Sequence, residues 1–168
     1  MRWLRRAPDL PRVRDYGRVA PWLLLGPALD SDGYRHLADE GVTHVLDLRS
    51  EASDDPSLME SLNLAWRQVP IDDRAAPTSR QLAEINAWLD AAPEAQPIVY
   101  VHCEGGLGRS PTVAMALLMQ RGFSHAEAHR LVLGARSVAA PTGDQDSWLA
   151  EIERELGTGG PSLPSNAD

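Results

Sequence analysis

The stretch 102-HCEGGLGRS-110 decides the fold of this chain. It holds Cys103, the only cysteine, together with three glycines and Arg109, which follows the cysteine by six positions. An apolar run at 97–101 precedes the stretch, and helix-forming residues at 112–120 follow it. A strand, a glycine-rich loop and a helix N-terminus in this order aim backbone N–H groups at one point and favour an anion there. A thiol and a guanidinium at the two ends of the loop indicate nucleophilic chemistry on a phosphate.

Each residue type in this loop suits that chemistry. A helix N-terminus and a nearby cation favour the thiolate form of a cysteine, which makes Cys103 the candidate nucleophile. Arg109 presents a planar fork to two phosphate oxygens, which a lysine does not. The glycines at 105, 106 and 108 are expected to let the backbone approach the phosphate and to permit positive φ. Ser110 is placed to donate a hydrogen bond to the sulfur when it becomes the leaving group.

A second loop is expected to complete the site. Transfer of a phosphoryl group to Cys103 gives a phosphocysteine, and the leaving oxygen then needs a proton from a general acid. The loop at 69–77 offers Asp72 and Asp73. Thirty residues separate Asp73 from Cys103, enough for a helix and a strand to return both loops to one sheet edge.

Short apolar runs alternating with helical patterns predict an α/β fold. We expect a three-layer domain in which helices flank a central, largely parallel sheet of four to five strands. Ser31 is the expected N-cap of the first helix. The predicted strands are 22–26, 42–48, 66–70 and 97–101, and the predicted helices are 32–40, a short one within 51–62, 78–91, 111–121, one beginning after Ser124, and 145–156. The expected domains are a basic extension at 1–18, a catalytic domain at 19–156 and a flexible tail at 157–168.

Composition limits the classes of partner. The chain has 168 residues and a formal net charge of −8, so binding to nucleic acid or to an anionic membrane is not expected. A lone cysteine forms no internal disulfide, and the N-terminus has no apolar run typical of a secretory signal, which favours a cytoplasmic protein. The five histidines are scattered without metal-ligand spacing, so neither a metal nor another cofactor is predicted. A monomer is expected.

The pattern His-Cys-x5-Arg-Ser resembles the signature of the cysteine-dependent protein tyrosine phosphatases, specifically the small dual-specificity class. Its Gly-Leu-Gly-Arg ending is similar to the kinase-associated phosphatases and the phosphatases of regenerating liver. The resemblance extends from about Trp22 to Leu156 and includes the segment 41–48. It implies a dual-specificity phosphatase-like fold and hydrolysis of phosphomonoesters without a metal. The backbone N–H groups that would hold the phosphate belong to Glu104, Gly105, Gly106, Leu107, Gly108 and Arg109.

The resemblance also implies roles for residues outside the loop. In these relatives the general acid is an aspartate followed a few residues later by proline; Asp73, with Pro77 after it, matches best, and Asp72 is the alternative. Gln145 resembles in its placement a glutamine that positions the hydrolytic water. His102 is expected to support the loop through hydrogen bonds rather than to transfer protons.

Three functions stay open from the sequence. The first is a protein tyrosine or dual-specificity phosphatase acting on a phosphorylated protein or a small phosphomonoester. The second is the same chemistry on a phosphoinositide, an inositol phosphate or an RNA 5′ phosphate. The third is a phosphate-binding module that has lost catalysis. Relatives acting on inositol lipids tend to carry basic residues inside the loop, so Glu104 disfavours a polyphosphorylated substrate.

Overall fold

The computed structural model describes residues 15–93 and 95–159, which form a sheet of five strands flanked by six helices. The strands are β1 (Gly17–Ala20), β2 (Leu23–Pro27), β3 (His44–Arg49), β4 (Ala65–Ile71) and β5 (Val99–Cys103). The helices are α1 (Ser31–Asp39), α2 (Pro56–Ser61), α3 (Ser79–Asp90), α4 (Arg109–Gln120), α5 (His125–Ala135) and α6 (Gly143–Gly159). The predicted three-layer α/β fold is confirmed.

The sheet has the strand order β1-β2-β5-β3-β4. Strands β2, β5, β3 and β4 are parallel, and β1 pairs antiparallel with β2 at the edge. Strand β1 was not predicted, and it begins within the segment 1–18 that we expected to be an extension. Its four residues carry no alternating apolar pattern, so only the pairing of Gly17 with Leu25 and Arg18 with Leu24 reveals it.

The two faces of the sheet bury separate apolar clusters, because successive strand residues point to opposite sides. Leu23 and Leu25 of β2 face the layer formed by α3, α4, α5 and α6. Leu24 and Tyr100 face the layer formed by α1 and α2. Burying a leucine side chain completely stabilises the fold by about 2 kcal/mol, and the three leucines of β2 are wholly buried. This explains why continuous apolar runs, rather than alternating ones, form the central strands.

Several helix ends differ from those predicted. Asp30, not Ser31, caps α1, because its carboxylate accepts a hydrogen bond from Gly33 N at 2.8 Å. The predicted capping box at Ser124 is present at the start of α5. Helix α6 begins at Gly143 rather than Gln145 and continues to Gly159, into the predicted tail. The rest of the predicted extension, 1–14, and of the tail, 160–168, lies outside the described residues.

The carboxyl ends of the four parallel strands bring the candidate loops together. Helices α1 and α2 cover one face of the sheet and α3 the other, so the chain changes face between β4 and β5. Ligands of open α/β sheets bind at the carboxyl edge beside such a change. Strand β5 ends there with Cys103. Among the described residues, no helix has both the length and the apolarity needed to cross a bilayer.

Candidate active site

Cys103 lies at the bottom of the loop that joins β5 to α4. Its side chain is almost completely buried, and the backbone N–H of Gly106 donates to its Sγ at 3.3 Å. The Ser110 hydroxyl, in the first turn of α4, lies 3.5 Å from the same sulfur. The Ser110 hydroxyl also donates to Gly26 O at 3.3 Å, and the N-terminus of α4 favours an anion beside the sulfur. The structure therefore brings Ser110 to the position expected for it.

The loop carbonyls all point away from the centre of the loop. In a trans peptide the carbonyl of one residue and the N–H of the next point in opposite directions. Donors outside the loop therefore turn the N–H groups of residues 104–109 inward. These contacts are His102 Nδ1 to Cys103 O (3.1 Å), Ala28 N to Glu104 O (3.2 Å), Arg136 Nη2 to Gly105 O (2.9 Å), Arg136 Nε to Gly106 O (2.8 Å), Ala140 N to Leu107 O (2.7 Å) and Thr112 N to Gly108 O (3.0 Å).

Arg136 is a positioning residue that the sequence did not reveal. It follows α5 directly, its guanidinium is buried under the loop, and a third nitrogen donates to the Asp15 carboxylate at 3.0 Å. One side chain thus anchors two successive loop carbonyls and adds a fixed positive charge beneath the phosphate site. Nothing in the neighbouring sequence distinguishes this arginine, because its partners lie about thirty residues away.

Two loop glycines serve packing rather than access of the phosphate, which corrects that part of our expectation, whereas the expected positive φ is present at Gly106. Gly106 has a φ of 67°, and a Cβ there would lie 2.7 Å from the carbonyl oxygen of Gly26 in β2. A Cβ at Gly108 would lie 2.9 Å from Oε1 of Gln145. A side chain at either position would therefore point into the protein. The loop needs glycine at these positions to lie close to β2 and α6.

The Arg109 guanidinium makes hydrogen bonds along one edge, whereas Nε on its other edge has no hydrogen-bond partner. Nη1 and Nη2 donate to the two carboxylate oxygens of Glu51 at 2.8 and 2.6 Å, and Nη1 also donates to Ile71 O at 2.9 Å. Nε is buried and has no hydrogen-bond partner. A guanidinium has two bidentate edges, and this pairing leaves the edge formed by Nε and Nη2 for a phosphate. Glu51 thereby orients Arg109, and its hydrogen bonds raise the pKa of the guanidinium.

No motif in the sequence identifies Glu51 as a site residue. It follows the strand residue Arg49 by two positions and lies at the carboxyl edge of the sheet. A carboxylate directly after a buried strand was the available signal, but several acids share that feature. Only the contact with Arg109 distinguishes Glu51 from them.

Replacing Glu51 with glutamine should remove a pH-dependent part of the stability. The hydrogen bonds from Arg109 lower the pKa of Glu51 from 4.5 to about 2. The ionised carboxylate therefore stabilises the folded state above about pH 4.5, and this contribution is lost as the pH falls towards 2. We expect a higher urea midpoint for the wild type than for Glu51→Gln at neutral pH, with the gap narrowing below pH 4.5.

The matched control is Glu84→Gln, which breaks an exposed ion pair with Arg67 at 2.6 Å. Urea midpoints of the three proteins at a series of pH values test the prediction. A gap between wild type and Glu51→Gln that stays constant with pH would contradict it. If the difference in urea midpoint between wild type and Glu84→Gln also narrows by the same amount, the effect comes from surface charge in general.

The structure brings the second loop against the first. Asp73 is largely exposed, and its Oδ1 lies 3.7 Å from Nη2 of Arg109. Asp72 is also exposed, and its backbone carbonyl accepts from Ala75 N at 3.0 Å. Of the two candidate acids, Asp73 is the one whose carboxylate faces the guanidinium. This geometry favours Asp73 as the group beside a bound phosphate.

Gln145 joins the two loops. It is completely buried at the start of α6, its Nε2 donates to Ala75 O at 3.0 Å, and its Oε1 accepts from Thr142 N at 2.9 Å. The same side chain occupies the space beside Gly108. Its amide therefore connects the aspartate loop to the end of the cysteine loop. This position is compatible with the predicted role of positioning the hydrolytic water.

His102 belongs to a buried polar cluster behind the cysteine. Its Nε2 lies 2.7 Å from Oδ2 of Asp54, and Nδ1 faces the Cys103 carbonyl at 3.1 Å. Each ring nitrogen therefore lies within hydrogen-bond distance of an oxygen. Burial would raise the pKa of Asp54, but hydrogen bonds from His102 and Tyr34 hold it below the usual value. These contacts support the predicted role of His102 in holding the loop.

Arg49 connects this cluster to Glu104. Its guanidinium donates to Asp47 at 2.9 Å, to Asp54 at 3.3 Å and to the Glu104 carboxylate at 3.1 Å. Burial acts to lower the pKa of Arg49, but the bonds to Asp47 and Glu104 outweigh it and raise the pKa. Asp47, Asp54 and His102 lie close enough to share a metal ion, yet Arg49 already occupies both carboxylates. The Glu104 side chain stays more than half exposed beside the cysteine.

Comparisons with known proteins agree with this geometry. The family model described as polymorphic toxin system, DSP-PTPase phosphatase, matches residues 26–123. Human dual specificity phosphatase 28 is 36% identical over 154 residues, covering 90% of this chain and 85% of that protein. Human dual specificity protein phosphatase 6 is 31% identical over 146 residues, covering 85% of this chain but 38% of its own length. The chain spans little more than a third of several such relatives.

Solved structures share the fold over nearly their whole length. The crystal structure of Tk-PTP in the active form superposes with a TM-score of 0.74 at 28% identity, covering 84% of this chain and 97% of that one. The family match covers more than half of the chain, including the whole cysteine loop. The chain therefore belongs to the dual-specificity phosphatases of the protein tyrosine phosphatase superfamily.

Proposed function

We propose that this protein hydrolyses phosphomonoesters through a phosphocysteine, with phosphorylated tyrosine, serine or threonine in proteins as its substrates. The observation that carries the proposal is the unpartnered, buried Nε of Arg109 at the end of the loop that begins with the Cys103 thiol, to which the Gly106 N–H donates at 3.3 Å. This arrangement supplies donors for a tetrahedral phosphate and a nucleophile directly behind its phosphorus. The relatives named dual specificity protein phosphatases support the same chemistry.

In the first step the Cys103 thiolate attacks phosphorus, so that an S–P bond forms while the P–O bond to the leaving group breaks. Arg109 and the loop N–H groups stabilise the charge on the three equatorial oxygens. Asp73 gives its proton to the leaving oxygen. The 3.7 Å distance between Asp73 and Arg109 supports this assignment, because both groups reach the same phosphate.

In the second step water attacks the phosphocysteine. Asp73, now ionised, takes a proton from the water as the new P–O bond forms and the S–P bond breaks. Ser110, at 3.5 Å from the sulfur, donates to the departing thiolate by turning its hydroxyl away from Gly26 O. Gln145 lies between the two loops and is suited to orient the water. The cycle ends with inorganic phosphate and the regenerated thiolate.

Initial rates on a panel of substrates test the proposed function. We expect turnover of phosphotyrosine and phosphothreonine peptides to exceed that of a phosphoinositide, an inositol phosphate and an RNA 5′ phosphate. Hydrolysis of one of the last three with a higher kcat/KM than every peptide would move the function to that substrate. Binding of phosphate without turnover of any compound would make the protein a binding module.

Replacing Asp73 with asparagine should lower kcat by about 10²-fold for phenyl phosphate, because a general acid matters most for a poor leaving group. The loss should be smaller for p-nitrophenyl phosphate. Asp72→Asn is the matched control, since it makes the same chemical change one residue away. A larger loss in Asp72→Asn than in Asp73→Asn would reverse the assignment of the acid.

The proposal includes a cytoplasmic monomer that needs no cofactor. A single cysteine with no internal disulfide supports a reducing compartment. The net charge of −8 argues against nucleic acid or an anionic membrane as a partner.

A further inference from the structure

The loops around Cys103 carry a strongly uneven charge. They are the segments that follow β2, β3, β4 and β5 and the segment between α5 and α6. Their exposed charged side chains include a single arginine, Arg74. Against it stand six exposed acids, which are Asp30, Glu51, Asp55, Asp72, Asp73 and Glu104. The whole chain has 24 acidic and 16 basic residues, so the entrance is far more acidic than the average surface.

The other cations of the site are buried below this entrance. Arg49 and Arg136 expose less than a tenth of their side chains, and both are already paired with carboxylates, Arg49 with the exposed Glu104 as well as with Asp47. Arg109, 2% exposed, keeps only its unpartnered Nε edge for the phosphate. The phosphate is therefore received by buried donors, whereas the parts of a substrate beside the phosphate meet carboxylates.

Three of these acids lie beside the residues expected to bind and attack the phosphate. Glu51 and Asp73 lie within 4 Å of the Arg109 guanidinium, and Glu104 follows Cys103 directly. A second phosphate or a carboxylate next to the reacting phosphate would approach the carboxylates of Glu51 and Glu104 and be repelled, whereas Asp73 carries no charge while it holds the proton for the leaving oxygen. A guanidinium or ammonium in the same place would be attracted.

We propose that the substrate carries positive charge beside its phosphate, and that it is a phosphorylated protein segment flanked by arginine or lysine. This inference rests on the proposed function and names its substrate class. At about 8 Å in water, one pair of unit charges changes kcat/KM by about twofold to threefold. Several such pairs multiply to a preference of about tenfold for a basic over an acidic peptide at low salt.

Two phosphotyrosine peptides of equal length test the inference, one with arginine and one with aspartate at two positions on each side. The wild-type ratio of kcat/KM should be about tenfold in favour of the basic peptide. It should fall towards twofold in 0.5 M salt, where the screening length is only about 4 Å. Glu104→Gln should lower the ratio by about twofold. Glu151→Gln, which removes the same charge from an exposed position on α6, should leave the ratio unchanged.

The outcomes separate this inference from the proposed function. Equal rates for the two peptides, or a preference for the acidic one, would overturn the inference and leave the proposed phosphatase intact. An unchanged ratio in high salt would likewise show that charge does not select the substrate. Failure to hydrolyse either peptide, with turnover of a phosphoinositide, would overturn both.

Discussion

Replacing Cys103 with serine should abolish turnover of p-nitrophenyl phosphate, with a loss of at least about 10⁴-fold in kcat. A serine hydroxyl in place of the thiol is a far weaker nucleophile, because a cysteine reacts as its thiolate whereas serine keeps its proton at neutral pH. The substitution removes only the sulfur, so the carbonyl anchors of the loop stay in place. The expected result is thus a folded protein that binds phosphate but does not react.

Two measurements accompany this variant. Its thermal midpoint in the presence of inorganic phosphate should rise as in the wild type, because Arg109 and the loop N–H groups still bind the anion. Mass spectrometry after rapid acid quench should detect a phosphorylated Cys103 in the wild type and none in the variant. Residual activity above a few per cent in pure Cys103→Ser would refute the nucleophile.

Replacing Arg109 with lysine should lower kcat by about 10³-fold, the second-largest effect that we expect. Lysine keeps the charge but loses the planar fork, so it cannot bind Glu51 with one edge and phosphate with the other. The variant also removes the donor to Ile71 O, which connects the cysteine loop to the aspartate loop. Binding of phosphate should weaken together with kcat.

Arg121→Lys is the control for this change. Arg121 stacks over the Trp22 ring at 4.0 Å, so the same replacement there tests the loss of a guanidinium outside the active site. Steady-state kinetics of both variants on p-nitrophenyl phosphate provide the comparison. If Arg109→Lys retains more than a tenth of the wild-type kcat, charge alone suffices and the geometric role given to the fork is wrong.

Both variants address the half of the site that could be predicted from the sequence. Cys103, Arg109 and Ser110 lie within eight consecutive residues between an apolar strand and a helix. Their arrangement depends on local backbone geometry, which neighbouring residues encode. The α/β fold was predictable for a similar reason, since apolar runs and caps report the strands and helices one by one. Strand β1 was not predicted because its residues carry no strand pattern, and only its pairing with β2 identifies it.

The residues that complete the site were harder to predict. Asp73 was expected from a resemblance, and the structure adds the contact with Arg109 that favours it over Asp72. Glu51, Asp54 and Arg136 were missed because each is one of several similar charged residues in the chain. The residues of the cysteine loop, and His102 beside it, that they contact lie between 30 and 58 residues away. No local pattern specifies such a pairing.

The sequence by itself predicted Cys103 as the nucleophile, Arg109 as the phosphate-binding residue and, except for β1, the order of strands and helices around them, because these predictions depend on neighbours along the chain. The tertiary structure decided which edge of Arg109 stays open, how the loop carbonyls are held outward and how acidic the entrance is. These features depend on the parallel strands ending at one edge of the sheet. There, Glu51, Asp73 and Arg136 from distant segments meet the loop 103–109.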